Sequence, residues 1–357
     1  MQLSTSHWLY AGTKPTASAL FKQSSNDFIV TEDLGFAPSG EGEHHLFYIE
    51  KENTNTAFVA EQLAKTFKQP LRNVSYAGRK DKYALTRQWF SIYAPKVKTF
   101  NINDFSLAGV RITNYTKHHK KIRTGQHNGN HFAITLRNVS DLAQVISALQ
   151  YIREQGIPNY YGEQRFGVVN TATNESLVGG NLALAERMLN GEDIRNRNKR
   201  SMAISALRSW LFNEFISTRI AHNSYDQVLL GDALNLSNSN SFFIAEAPLS
   251  ALQQRYSARD IAPTAPLWGE VRSAVTHDAL ALEDDIFHRY RPVCEFLAGL
   301  NMQTARRPIK IWPANLEWAA QGDTLTINFW LPAGCFATSV LRECVNTLTT
   351  AQQRSDT

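Results

Sequence analysis

Strand-like patterning occurs at both ends of this 357-residue chain and fades in between, and that interruption limits the folds open to it. Asn26–Glu32 and Asp323–Leu331 alternate apolar or β-branched residues with polar ones, the period of a half-buried strand, and His45–Glu50 is a further strand candidate. From about Thr171 to Arg306 apolar residues fall instead at helical spacing, most clearly over Leu182–Leu189 and Ile204–Ile220, and Ile261–Gly269, with Pro263 and Pro266, reads as a loop. Extended texture resumes at Arg306–Trp312. If the terminal strand segments share one domain, the middle of the chain is an insertion. The expectation from texture is therefore a domain of strands and helices interrupted by a mainly helical insertion. Helices are also expected near Ala57–Phe67 and over Asp141–Gly156, and the tail from Gln352 is expected to fray.

Composition narrows the function. Hydrophobic residues make up 43% of the chain and charged residues 19%, enough apolar material for a sizeable core. The net charge of +5 permits an anionic partner without specifying one. The three cysteines, Cys294, Cys335 and Cys344, form no CxxC pair and have no histidine at ligand spacing, which argues against a disulfide scaffold or a zinc site. No signal-peptide pattern and no apolar run of membrane-spanning length occurs, so a cytoplasmic protein is expected, without membrane association. Phosphate-binding P-loop, GxGxxG, GxSxG and HExxH motifs are absent.

What remains is chemistry carried by side chains alone. In Ala77-Gly78-Arg79-Lys80-Asp81-Lys82-Tyr83, one acid sits among three cations between two strand-like segments, so a strand–turn–strand unit would present a single carboxylate. Cationic neighbours favour its ionised form, and an ionised carboxylate serves as a nucleophile or a base, although a solvated turn residue has the same local composition. Lys117–Arg123 is a basic run suited either to phosphates or to a solvated loop. Ile157–Gly167 packs three aromatic rings, two glycines, an Arg and an Asn into a short segment, a combination suited to RNA bases and phosphates. Phe28 reads either as a core ring or as a stacking platform.

The stretch Ala77–Gln88 closely resembles the signature of the TruD-type tRNA pseudouridine synthases. Asp27–Glu32, Gly129–Phe132, Pro158–Gly167 and Leu331–Thr338 resemble further motifs of that family in the same order, so the likeness spans nearly the whole chain. The resemblance implies an α+β fold: a discontinuous pseudouridine synthase catalytic domain of residues 1–158 and 306–357, with a mixed, largely antiparallel sheet flanked by helices, interrupted by an inserted, mainly helical TRUD-specific domain of residues 159–305. It implies conversion of uridine 13 of tRNA to pseudouridine, with Asp81 as the catalytic residue and neither a metal nor an organic cofactor. Phe28, Asn130 and Phe336 carry over as nucleotide contacts, Asn130 having the alternative of holding the pocket loop and Phe336 that of a core residue at a helix entry. Lys80, Lys120, Lys121 and Arg165 are candidates for the RNA backbone. Arg79 departs from the family pattern, where a less charged residue is common. A tRNA partner and a monomer are expected; a catalytically silent RNA-binding or tRNA-chaperone protein is the alternative. Whether Asp81 attacks C1′ or C6, or takes a ribose proton, stays open.

Overall fold

A computed structural model describes residues 3–167, 179–237, 239, 241–270 and 274–348. The expected fraying of the tail from Gln352 and the onset of the middle region near Thr171 lie outside the described residues. The contacts divide the chain into two compact units: Met1–Lys14 with Gln150–Trp312 and Thr338–Glu343, and Pro15–Leu149 with Pro313–Ala337 and Cys344–Thr357. The expected insertion, residues 159–305, falls inside the first of these, which also gathers residues 1–14, 150–158, 306–312 and 338–343.

The second unit is a mixed ten-stranded sheet. Its strands are β1 (Ser18–Phe21), β2 (Phe28–Asp33), β3 (His44–Glu52), β4 (Val74–Tyr76), β5 (Leu85–Tyr93), β6 (Val110–His118), β7 (Gly129–Arg137), β8 (Ala314–Gln321), β9 (Thr324–Pro332) and β10 (Asn346–Leu348). The main path runs β8-β9-β7-β2-β5-β3-β6, with β1 pairing both β7 and β10, and β4 pairing β5. The β2–β5 and β1–β10 ladders are parallel and the others antiparallel. The expected mixed, largely antiparallel sheet is present. In β9, Leu325, Ile327, Phe329 and Leu331 are buried while their neighbours are not, the period-two pattern visible in the sequence. Helix α1 (Thr56–Thr66) lays Val59, Ala60 and Leu63 on Phe47, Ile49, Phe90 and Ile92 of β3 and β5. That cluster backs the sheet at the point where β5 receives the loop carrying Asp81.

Among the described residues of the first unit more lie in helices than in strands, including Gly180–Leu189 and Arg197–Ala221, close to the expected helices. It also contains a four-stranded sheet built from Ala233–Leu236, Phe242–Ile244, Ile261–Leu267 and Ala305–Pro308. The reading of Ile261–Gly269 as a loop is thus corrected: Ile261–Leu267 is a strand despite Pro263 and Pro266. Residues Ile261 to Pro263 pair with one neighbour and Thr264 to Leu267 with the other, so each residue needs ladder bonds on one side only and the missing proline N–H groups are tolerated. The helix expected over Asp141–Gly156 spans Leu142–Gln155, and the division between units falls within it.

Candidate active site

Asp81 lies in the connection Ala77–Ala84 between β4 and β5, which are antiparallel neighbours with Tyr76 opposite Phe90. The loop has little regular structure, and side chains from the sheet and α1 fix its path. The Thr56 hydroxyl accepts the Lys80 backbone N–H at 3.0 Å and donates to Gln88 Oε1 at 3.1 Å. The Gln88 amide donates to the Gly78 carbonyl at 3.0 Å. Lys51 Nζ donates to the Asp81 carbonyl at 2.8 Å. These bonds come from buried residues, so the loop is held from below while the Asp81 side chain keeps 33% of its surface exposed. A carboxylate that is both accessible and fixed in place suits a group that must meet a substrate.

The charges around Asp81 differ from those its sequence neighbours suggested. Lys80 points inward: its side chain is 5% exposed and its Nζ is 2.7 Å from Oε2 of Glu32, whose side chain is 0% exposed. The other Glu32 oxygen accepts the Trp89 backbone N–H at 3.0 Å. Glu32 continues the buried phase of β2 after Phe28 and Val30, and a carboxylate at that depth requires a cation and hydrogen bonds. Lys80 is therefore placed as a strut of the loop, its ammonium turned to Glu32. The cation facing the Asp81 carboxylate is Lys22, with Nζ 3.3 Å from Oδ2. Lys22 is 9% exposed, sits in the left-handed region at φ 58°, and places the same ammonium 4.1 Å from the centroid of the Phe28 ring. Burial pushes the Lys51 ammonium down to about 8, with Lys80 adding to the shift and Asp81 opposing it.

Phe28 is 3% exposed, edge-on to Phe21 and stacked on Phe132 with centroids 6.2 Å apart. Its surroundings are those of a core ring, and its tie to Asp81 runs through the Lys22 ammonium. Asn130, at the start of β7, is 8% exposed and lies opposite Glu32 on one side and Leu331 on the other. Gly129 before it has no room for a side chain, because a Cβ would lie 2.4 Å from the Leu331 carbonyl oxygen. Among the described residues, neither the buried Asn130 Oδ1 atom nor the buried Nδ1 of His127 has a hydrogen-bond partner. Phe336 is half-buried, beyond the β9 end that flanks Gly129 and Asn130, and past a left-handed turn at Gly334 with φ 82°. The Ala333 N–H bonds the Asn128 carbonyl at 2.9 Å and ties the two segments together.

Lys120 and Lys121 are exposed, and neither forms an ion pair with a described residue. With His44, His119, Arg123 and the 124–126 turn they line an open cavity of about 720 Å³. Ile122, fully buried against Leu34, Leu46 and Ala77, anchors this basic loop, and the Gly125 N–H donates to the Ala77 carbonyl at 2.7 Å. Arg165 belongs to the first unit, where its Nε donates to Ser209 Oγ at 3.1 Å and its guanidinium lies 5.3 Å from the Tyr161 ring centroid. No described helix is long and apolar enough to cross a membrane.

The model of the tRNA pseudouridine synthase D family matches residues 5–201 and 193–344 of this chain. The chain belongs to that family. Among the tRNA pseudouridine synthases D it resembles, the protein from Pseudoalteromonas atlantica is 45% identical over 340 residues, covering 95% of this chain and 96% of the relative. That from Proteus mirabilis is 42% identical, covering 95% of each chain, and that from Colwellia psychrerythraea 38%, covering 94% of this chain and 92% of the relative. A crystal structure described as a tRNA pseudouridine synthase D from Methanosarcina mazei superposes with a TM-score of 0.70 at 19% identity, covering 94% of this chain and 95% of that one, which supports the fold. This is an isomerase family. In this chain, sequence reasoning missed Lys22, Glu32, Lys51 and His127. Glu32 and Lys51 each left a local signal, since they continue the buried phases of Phe28 and Val30 in β2 and of Phe47 and Ile49 in β3.

Proposed function

We propose that this chain converts uridine 13 of tRNA to pseudouridine, with Asp81 as the reacting carboxylate on a base turned out of its stack. The observation carrying this reading is the fixed, accessible Asp81 with Lys22 Nζ 3.3 Å from its oxygen. The reaction breaks N1–C1′, turns the uracil and joins C5 to C1′; the C5 proton is lost and N1 gains one, so substrate and product are isomers. Asp81 starts it by attack at C1′ or C6 or by taking a ribose proton. The base must stay in the site while it is unattached. Asn130 and Phe336 contact the nucleotide, and Phe28 acts from beneath by seating Lys22. Lys120 and Lys121 in the basic loop, and Arg165 in the first unit, serve the RNA backbone. A monomer working in the cytoplasm, with residues 159–305 as an inserted domain, completes the proposal.

Carbodiimide labelling and primer extension on unmodified tRNA transcripts test it. The wild-type chain is expected to create one new pseudouridine at position 13, and Asp81→Asn to create none while still binding tRNA. Product from the Asp81→Asn variant would remove Asp81 from the reaction. Tight binding without product by the wild type would favour a silent RNA-binding protein.

A further inference from the structure

Resting on the uridine-isomerising reading, we propose that His127 and Asn130 form a two-atom clamp on the imide edge of the detached uracil, holding it through the turn while His127 is neutral. His127 Nε2 lies 3.5 Å from Asn130 Nδ2, a long contact, and the two outward atoms of this pair, His127 Nδ1 and Asn130 Oδ1, are buried without partners. Native proteins rarely bury two neighbouring polar atoms unsatisfied, and a ligand that pairs with both explains them. The imidazole also lies against the catalytic loop: its Cε1 is 3.6 Å from where a Cβ on Gly78 would stand, three residues before Asp81.

A neutral imidazole carries one donor and one acceptor, as does an amide. If Asn130 Nδ2 donates to Nε2, the outward atoms are an Nδ1–H donor and an Oδ1 acceptor; reversing both roles again leaves one donor and one acceptor. Uracil offers N3–H as donor, flanked by two carbonyl acceptors. Exchanging N1 for C5 is a half-turn about the line from N3 to C6, which leaves N3–H in place and swaps the carbonyls. The imide edge therefore presents the same pattern before and after the turn: the bond to N3–H, which lies on the axis, is kept, while the carbonyl bond is released by one oxygen and remade to the other. Cytosine would bring its carbonyl to where its amino group had been. A protonated His127 donates from both nitrogens, so the Asn130 oxygen turns to it and only donors face the base. The charged groups facing His127 are Lys80 from the loop and Glu32 and Asp33 from β2. Burial and then Lys80 push His127 below the ordinary imidazole value, against the two carboxylates, which favours the neutral form.

Single-turnover rates of pseudouridine formation for the wild type, His127→Gln and His127→Leu between about pH 5 and pH 9 test the clamp, with circular dichroism melts and tRNA binding as folding controls. The wild-type rate should fall about tenfold per unit on the acid side of the His127 titration. His127→Gln, which keeps a donor and an acceptor without titrating, should lose that limb and stay within about tenfold of the wild type near neutrality. His127→Leu, folded and binding tRNA, should lose about ten- to a hundredfold. A wild-type rate in His127→Leu, or an unchanged acid limb in His127→Gln, overturns the clamp and leaves the isomerase reading standing. A wild type that makes no pseudouridine at any pH sinks the isomerase reading and the clamp with it.

Discussion

Replacing Lys80 separates two roles that its sequence position leaves indistinguishable. The pair it makes with Glu32 is closed to water, with side-chain exposures of 5% and 0% and a separation of 2.7 Å. Lys80→Met removes the cation and leaves the Glu32 carboxylate with only the Trp89 N–H, an uncompensated buried charge that costs about 3–5 kcal/mol. Glu32→Gln leaves the Lys80 ammonium buried in its place and should cost a similar amount. The double variant Glu32→Gln with Lys80→Met removes both charges together, so it should recover to within about 2 kcal/mol of the wild type. Urea denaturation of the four proteins gives the coupling energy, which these costs put at about 4 kcal/mol or more. Salt dependence of tRNA binding supplies the second readout: a lysine on a phosphate would carry about 0.7–0.9 of the log–log slope, and a strut carries none. A stable Lys80→Met variant whose slope falls by about one would refute the strut and restore the phosphate contact.

Three further outcomes follow from the same geometry. Lys51 has a folded-state pKa of about 8, below the ordinary lysine value, so its buried charge opposes folding at low pH and stability should rise as pH climbs from about 8 towards about 10.4. In urea titrations Lys51→Met should lack that rise. Because the Lys51 ammonium donates to the Asp81 carbonyl, the pH–rate profile should carry an alkaline limb near 8, absent in Lys51→Met, whose rate is lower throughout. Lys120→Ala with Lys121→Ala should reduce the salt slope of tRNA binding by up to about 1.8, at 0.9 per phosphate, and leave the melting temperature within about 1 °C, since both side chains are exposed.

Period and spacing made the outline legible because they are local properties. The alternation in β9 and the shared face of Phe28 and Val30 need only neighbouring residues to be seen. What escaped depends on partners far along the chain. Glu32 keeps the buried phase of β2 but looks like the polar end of a strand until Lys80, 48 positions on, is placed beside it. Ile261–Leu267 carries two prolines and reads as a loop unless the strand is known to change neighbours at Thr264. Phe28 could be assigned to core or substrate only once Lys22 was placed over its ring.

Electrostatics at Asp81 shows the limit most clearly. Local composition surrounds this acid with Arg79, Lys80 and Lys82, yet the cations that touch it come from elsewhere in the chain. Lys80 serves Glu32, Lys82 Nζ turns to the Tyr83 hydroxyl at 3.1 Å, and Arg79 is exposed. The charge beside the carboxylate comes from Lys22 at 3.3 Å, and the charge behind its backbone from Lys51 at 2.8 Å. An exposed cation adjacent in sequence interacts through water at high dielectric, whereas a cation 9% exposed does not, so Lys22 should dominate. Lys22→Met keeps the alkyl stem on Phe28 and removes the charge. It should lower kcat about ten- to a hundredfold with KM within about threefold, the mark of a contact that acts on the reacting group. Arg79→Ala with Lys82→Ala should change kcat by less than about threefold. Steady-state kinetics on a tRNA transcript decides between them, and the reverse ranking would return the electrostatic role to the neighbours in sequence.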